Sequence, residues 1–175
     1  MSRPSPALVM VSILARSDGP SEETRVELGA LFGPEALVSP TYPFDLSDYY
    51  EREMGPGLLR TWVAFERLAP PDGLPGWKLA CASVEDSLRS GESRRVNLDP
   101  GYLDAGKLVL ASFKEAPDKI YMGRGVWAHT VLRYGFGRYE APGSSFPDFR
   151  DGRFDRFMRD ARRLYKSLLR AGEQP

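Results

Sequence analysis

"FDLSDYYEREMG", residues 44–55, places Asp45, Asp48, Tyr49, Tyr50, Glu51 and Glu53 within nine positions. On an extended chain Tyr49, Glu51 and Glu53 share one side, and on a helical turn Tyr49 and Glu53 do. Carboxylates and phenols therefore fall together in either conformation, able to hold a metal or a polyhydroxy ligand or to act as general acid and base. The competing expectation is a solvated turn with its tyrosine rings packed on the core. A second polar row lies in "RRVNLDPGY", residues 94–102, where Arg95, Asn97 and Asp99 alternate and so face one way on an extended segment, with Tyr102 just beyond. Asp99-Pro100-Gly101 itself reads as a turn, Pro100 presetting φ and Gly101 supplying a positive one.

Isolated residues carry weaker chemistry. Lys114 follows a strongly apolar run, and the carboxyl end of a strand is a frequent place for ligands. Lys78 and Glu85, seven apart on a predicted helix, are placed roughly opposite its apolar stripe and so on a solvated face. His129 is the single histidine, set within a strand and without a partner that would make a catalytic triad. Cys81 reads as a small buried apolar residue.

"DPGYLDAGKLVL" matches a nucleotide-binding P-loop at seven of eight positions, through Gly101, Gly106 and Lys107. Its eighth position is Leu108, which has no hydroxyl for magnesium, and the "LVLASF" that follows is β-prone where a P-loop opens a helix. A P-loop GTPase is therefore not expected.

The elements that must position these groups are legible from periodicity. "ALVMVSILA" (7–15) is continuously apolar, as in a central strand covered on both faces. A helix follows up to Gly33-Pro34, then an irregular strand limited by Pro40 and Pro43, and a third strand in "LLRTWVAFERL". Trp77, Cys81, Val84 and Leu88 stripe a second helix, "RRVNL" and "KLVLASF" are strands, and "KIYMGRGVWAHTVLRY" is a hairpin turning at Gly123-Arg124-Gly125. Phe154, Phe157, Met158, Ala161, Leu164, Tyr165 and Leu168 hold one face of a last helix over about 151–170. The order predicts an α+β fold: a ferredoxin-like βαββαβ sandwich extended by a β-hairpin and a C-terminal helix.

The 175 residues suit one domain spanning the whole chain, with residues 1–6 flexible. Twenty-four basic residues balance twenty-four acidic ones, so no global field draws the protein to nucleic acid or to an anionic membrane. One cysteine excludes an internal disulfide, and with one histidine a structural zinc site is not expected. The apolar N-terminal run is too short to cross a membrane, which points to a cytoplasmic protein.

Several stretches resemble the uncharacterised bacterial family of the domain of unknown function DUF4416. "YPFDLSDYYEREMG" (42–55) and "RRVNLDPGY" (94–102) carry most of the resemblance, followed by "LVLASFK", "KIYMGRGVWAHTVL" and "FPDFR" in order. Ser112-Phe113, His129 and Ser83 stand where the family tends to have a threonine pair, an acidic residue and an asparagine. The resemblance implies a shared fold and no established activity.

The polar segments together predict a binding domain or enzyme for an anionic small molecule, phosphorylated ones included. Asp99, Glu51 and Glu53 are its expected acid/base or metal-binding groups; Arg95, Asn97, Tyr102, Lys114 and Tyr50 are its expected ligand contacts. No resident metal is assigned, and no cofactor is identified. The alternative is an RNA-binding or protein-interaction module using the sheet face, with Tyr121 and Trp127, or the basic C-terminal helix.

Overall fold

The computed structural model of the chain describes residues 4–16, 19–91 and 93–172. Residues 1–3, half of the segment expected to be flexible, lie outside it. Strand β1 (Ala7–Arg16) is buried along its length up to Ala15, as its unbroken apolar run requires. It pairs antiparallel with β4 (Leu58–Ala69) on one side and β5 (Val96–Leu103) on the other. Helix α1 (Glu22–Phe32) connects β1 to β2 (Glu35–Val38); the Ser21 hydroxyl accepts from the Thr24 N–H at 3.2 Å and caps it. Gly33, at φ 91°, ends it.

The expected second strand is divided into β2 and β3 (Tyr42–Pro43), both antiparallel to β4, with Pro40 between them. A single turn, α2 (Glu51–Met54), precedes β4, and α3 (Leu74–Ser87) joins β4 to β5. Then follow β6 (Lys107–Ser112), β7 (Ile120–Tyr121), β8 (Trp127–Gly135), β9 (Arg138–Glu140) and α4 (Asp155–Gly172). The β7–β8 turn uses positive φ at Gly123, Arg124 and Gly125. The described strands form one sheet of order β2-β4-β1-β5-β6-β8-β7, with β3 beside β4 and β9 beside β8.

Strand alternation gives the sheet two apolar faces. Val9, Val11, Ile13, Val63, Phe65 and Leu98 meet Leu28 and Phe32 of α1 and Cys81, Val84 and Leu88 of α3. Leu8, Met10, Trp62, Ala64, Leu103 and Leu108 meet Phe157, Met158, Ala161 and Tyr165 of α4 on the reverse. The fold is thus mixed α/β, a large antiparallel sheet between helices. The terminal helix is a third layer, because the alternate residues of β1 and β4 are also apolar and need a cover.

Two local expectations are corrected. Asp99-Pro100-Gly101 is not a turn but the middle of β5, and the chain reverses at Asp104–Gly106. Gly101 is there for space: a Cβ would overlap the Val109 carbonyl oxygen of β6. The P-loop resemblance dissolves for the same reason. Gly101 lies within a strand, Lys107 opens another, and the N–H groups of Gly106 and Lys107 both donate to Asp104 Oδ1, at 2.8 and 3.0 Å. Lys107 also pairs with the Asp104 carboxylate.

The second correction concerns Lys78 and Glu85, which are buried rather than solvated. At about 100° per residue they fall on the flank of the α3 stripe beside Leu74 and Cys81, not opposite it.

Candidate functional site

The sheet splits beside the polar segments. Pairing of β5 with β6 covers only Gly101–Leu103 against Leu108–Leu110. Pro100 has no N–H to offer a neighbouring strand, so the ladder stops at it. Upstream of the break, α3 supplies what a strand would have: Lys78 Nζ donates to the Leu98 carbonyl at 2.7 Å, and the Leu98 N–H donates to Glu85 Oε1 at 2.6 Å.

From there a closed ionic ring develops. Lys78 Nζ donates to Asp99 Oδ1 at 2.9 Å, Asn97 Nδ2 donates to Asp99 Oδ2 at 2.8 Å, and Arg94 Nη1 donates to Asn97 Oδ1 and Glu85 Oε2, both at 3.0 Å. Glu85 Oε1 returns to Lys78 Nζ at 3.9 Å. Arg94 Nη2 reaches out to Glu53 of α2 at 2.7 Å.

Burial opposes every charge in the ring, and the outcome differs by member. It pushes the Asp99 carboxyl up, but the charge and hydrogen bond of Lys78 and the Asn97 hydrogen bond outweigh it, holding Asp99 below the usual carboxylate range. It pulls Lys78 down, and Asp99 and Glu85 more than restore it. For Glu85, burial prevails over Lys78, the Leu98 N–H and Arg94, and the group sits above its ordinary value.

Asp99 opens onto a cavity of about 510 Å³ between the sheet split and the 143–150 segment. Lys114, Lys119 and Arg150 line it together with the carboxylates Glu115 and Asp118, and so do Tyr49 and Tyr50. Lys114 contacts the Tyr49 hydroxyl and lies 4.1 Å from the Tyr49 ring centroid. Lys119 Nζ donates to Ser112 Oγ and to the Lys114 carbonyl, both at 2.9 Å. Burial, opposed by Asp99 but aided by Lys114 and Lys78, pulls the Lys119 ammonium below an ordinary lysine.

His129 also lines the cavity, its Nε2 3.4 Å from Ser144 Oγ. Burial and Lys119 lower it against Asp118. That contact is long, and among the described residues no carboxylate hydrogen bond orients the imidazole, so no nucleophile–base–acid chain is assembled.

A second buried pair reaches the cavity through Arg60. Arg60 of β4 lines the cavity and is 2% exposed; its Nε donates to Asp148 Oδ2 at 2.7 Å and its Nη1 to Ser12 Oγ. Arg60 Nη2 and Asp148 Oδ1 are buried with no hydrogen-bond partner. Phe44 and Phe149 flank the guanidinium, at 5.1 and 5.2 Å from their ring centroids.

Of the residues singled out in the sequence, Asp99, Lys114 and Tyr50 line this cavity, and Asn97 is buried behind Asp99. Glu53 connects only through Arg94, while Glu51 is exposed on α2 and outside the cavity. Tyr102 points to the α3 side, packing with Val109, Ala111 and Leu74. Arg95 is exposed in a separate depression beside Arg16 and Pro20. The arginine that meets Asn97 is Arg94, because β5 begins at Val96 and strand alternation does not extend back to residue 95.

Arg60, Asp148, Lys119 and the pairing of Lys78 with Asp99 are absent from the sequence reading. An arginine inside the otherwise apolar "LLRTWVAF" was the available signal for Arg60, since a charge in a strand covered on both faces needs a buried partner. The described residues contain no group of three or more His, Cys, Asp or Glu arranged to hold a metal. None of the described helices is long and apolar enough to cross a membrane.

A family model, Domain of unknown function (DUF4416), matches residues 5–165, and the chain belongs to that family. No curated protein and no solved structure matches it.

Proposed function

We propose that this DUF4416 chain binds an anionic small molecule, phosphorylated ones included, in the cavity beside Asp99. The observation that carries the reading is the convergence of Lys114, Lys119 and Arg150, which outnumber the Glu115 and Asp118 carboxylates beside them, on one concavity of about 510 Å³ in a chain whose overall charge is balanced. A protein without a global field concentrates an anion only where cations are gathered locally. Asp99 is a carboxylate held ionised at the same surface, suited to accept a hydrogen bond from a ligand hydroxyl. Glu53 serves as an anchor for Arg94, and Glu51 has no part in the site. The ferredoxin-like reading of the first hundred residues is supported by the strand order β5-β1-β4-β2 and by α1 and α3 packing on one face.

Thermal unfolding with inorganic phosphate, glycerol 3-phosphate and citrate tests the proposal. Stabilisation that is lost in Lys119→Ala and Lys114→Ala is expected. Absence of a shift with every anion would overturn it. Stabilisation by GTP and magnesium alone would instead revive the P-loop.

The RNA reading retains one observation. Ile120 and Tyr121 of β7 are exposed at the outer sheet edge, and the Tyr121 ring packs at a tilt of 53° against Trp127, with 5.1 Å between centroids. The central sheet faces are covered by helices, so only this edge is open to a base. A salt-sensitive RNA shift abolished in Tyr121→Ala would favour it.

A further inference from the structure

The chain has five lysines, and their partners differ. Lys78 is paired with Asp99 and Lys107 with Asp104; Lys114 lies against the Tyr49 ring, and Lys166 is exposed on α4. Lys119 is half-buried in the wall of the cavity, and among the described residues no carboxylate forms an ion pair with it. Its two partners are neutral acceptors, Ser112 Oγ and the Lys114 carbonyl oxygen, both at 2.9 Å.

That pattern suits one protonation state of the side chain. An ammonium brings three N–H donors and a charge that a half-buried site must compensate. A neutral amine brings two N–H donors and a lone pair. Two neutral acceptors without a counter-ion satisfy both donors of the neutral amine and leave its lone pair unengaged.

The surroundings act in the same sense. A lysine that is desolvated and set beside other cations is the kind that becomes a nucleophile. Burial, with the charges of Lys114 and Lys78, pulls the Lys119 ammonium down against the attraction of Asp99. Glu115, Asp118 and His129 share the cavity with it, and the cavity, at about 510 Å³, has the size of a site for a small organic molecule.

We infer that Lys119 is a carbonyl-reactive amine, which forms an imine with an aldehyde or ketone that enters this cavity. That the carbonyl compound also carries an anionic group rests on the anion reading; the reactivity of the amine does not. In the reaction Nζ attacks the carbonyl carbon, an N–C bond forms, and the π pair moves to the oxygen. Both Nζ protons and that oxygen then leave as one water, and a C=N bond remains. Nothing is oxidised or reduced.

The full chain is treated near neutral pH with propanal or with glyceraldehyde 3-phosphate, each with cyanoborohydride to reduce imines as they form. Peptide mass mapping then reads the rate at each lysine of the wild-type protein. Lys119 is expected to be alkylated severalfold faster than the more exposed Lys114 and Lys166, whereas exposure alone would order them the other way. Glyceraldehyde 3-phosphate is expected to widen that lead over propanal, and added inorganic phosphate to narrow it again.

If neither aldehyde labels Lys119 faster than Lys166, the inference is overturned, whatever phosphate does in thermal unfolding. Fast labelling of Lys119 that is the same for propanal and for the phosphate ester would keep the reactive amine and remove the anionic group from its substrate.

Discussion

Two buried ionic assemblies lie on either side of the same cavity and differ in how completely they are bonded. In the ring of Lys78, Asp99, Asn97, Arg94 and Glu85 the charges alternate around a closed circuit, and two members replace the missing strand at Leu98. Only Arg94 Nε is left without a partner there. The Arg60–Asp148 pair is more deeply buried yet meets through a single hydrogen bond, leaving one donor and one acceptor unused. A ring of hydrogen bonds, closed between Lys78 and Glu85 by an ion pair at 3.9 Å, spans the sheet where its ladder fails. The open pair leaves one donor and one acceptor without partners next to the cavity that Arg60 lines. Burial alone therefore does not distinguish a fully bonded ionic assembly from an open one; the count of satisfied atoms does.

The comparison is broken most severely at Lys78. Lys78→Met removes the one cation that both Asp99 and Glu85 face, leaving Asp99 without its paired cation and Glu85 with Arg94 alone. A loss of about 3–5 kcal/mol is expected in urea or thermal unfolding. A loss below about 1 kcal/mol would show that the ring is not what holds the split.

Asp148→Asn keeps the shape of the open pair and removes its charge. Asparagine can still accept from Arg60 Nε while the buried guanidinium loses its counter-ion, so a loss of about 3 kcal/mol, at the low end of the range for Lys78→Met, is expected. An equal or larger cost would contradict the contrast between closed and open assemblies.

Gly101→Ala probes the hinge between the assemblies, where β5 rejoins β6. The added methyl must displace the Val109 carbonyl, and about 1–3 kcal/mol of destabilisation is expected.

Acid should act on both sides of the cavity in separate windows. His129 is lowered in the folded state, so folding disfavours its protonation, and stability should begin to fall as pH drops below about 6.5, ceasing to fall below the folded value. His129→Gln should flatten that limb of a Tm-against-pH curve. Asp99 is also lowered, so its contribution is complete above about pH 4 to 5 and is lost only as pH falls further, through its folded value. Asp99→Asn should remove this lower limb and leave the His129 limb in place. The smallest effect belongs to Glu51→Gln, which should lie within about 0.5 kcal/mol of wild type and leave anion binding unchanged.

Much of the fold was legible because local periodicity and burial agree. The apolar run of β1, the alternation of Trp62 and Ala64 against Val63 and Phe65, and the stripe of α4 each name their own covered faces. The strand assignment of "KLVLASF" counted against the P-loop together with the missing hydroxyl at Leu108, and β6 bears the strand out. The site was legible only in part. Asp99, Asn97, Lys114 and Tyr50 stood out by residue type, but Arg95 was chosen where Arg94 is the partner, and Glu51 was included where only Glu53 is tethered.

Sequence by itself determined most of the strands and helices, that the protein carries no global charge bias, and that polar residues cluster around 45–53 and 94–102. These follow from side-chain type and spacing along one element. Tertiary structure alone decided that Pro100 ends a ladder, that Lys78 and Glu85 fill the gap, and that Arg60 meets Asp148 from 88 residues away. Pairing between distant segments depends on register and on which backbone groups remain unpaired, and neither is encoded in any one stretch of chain.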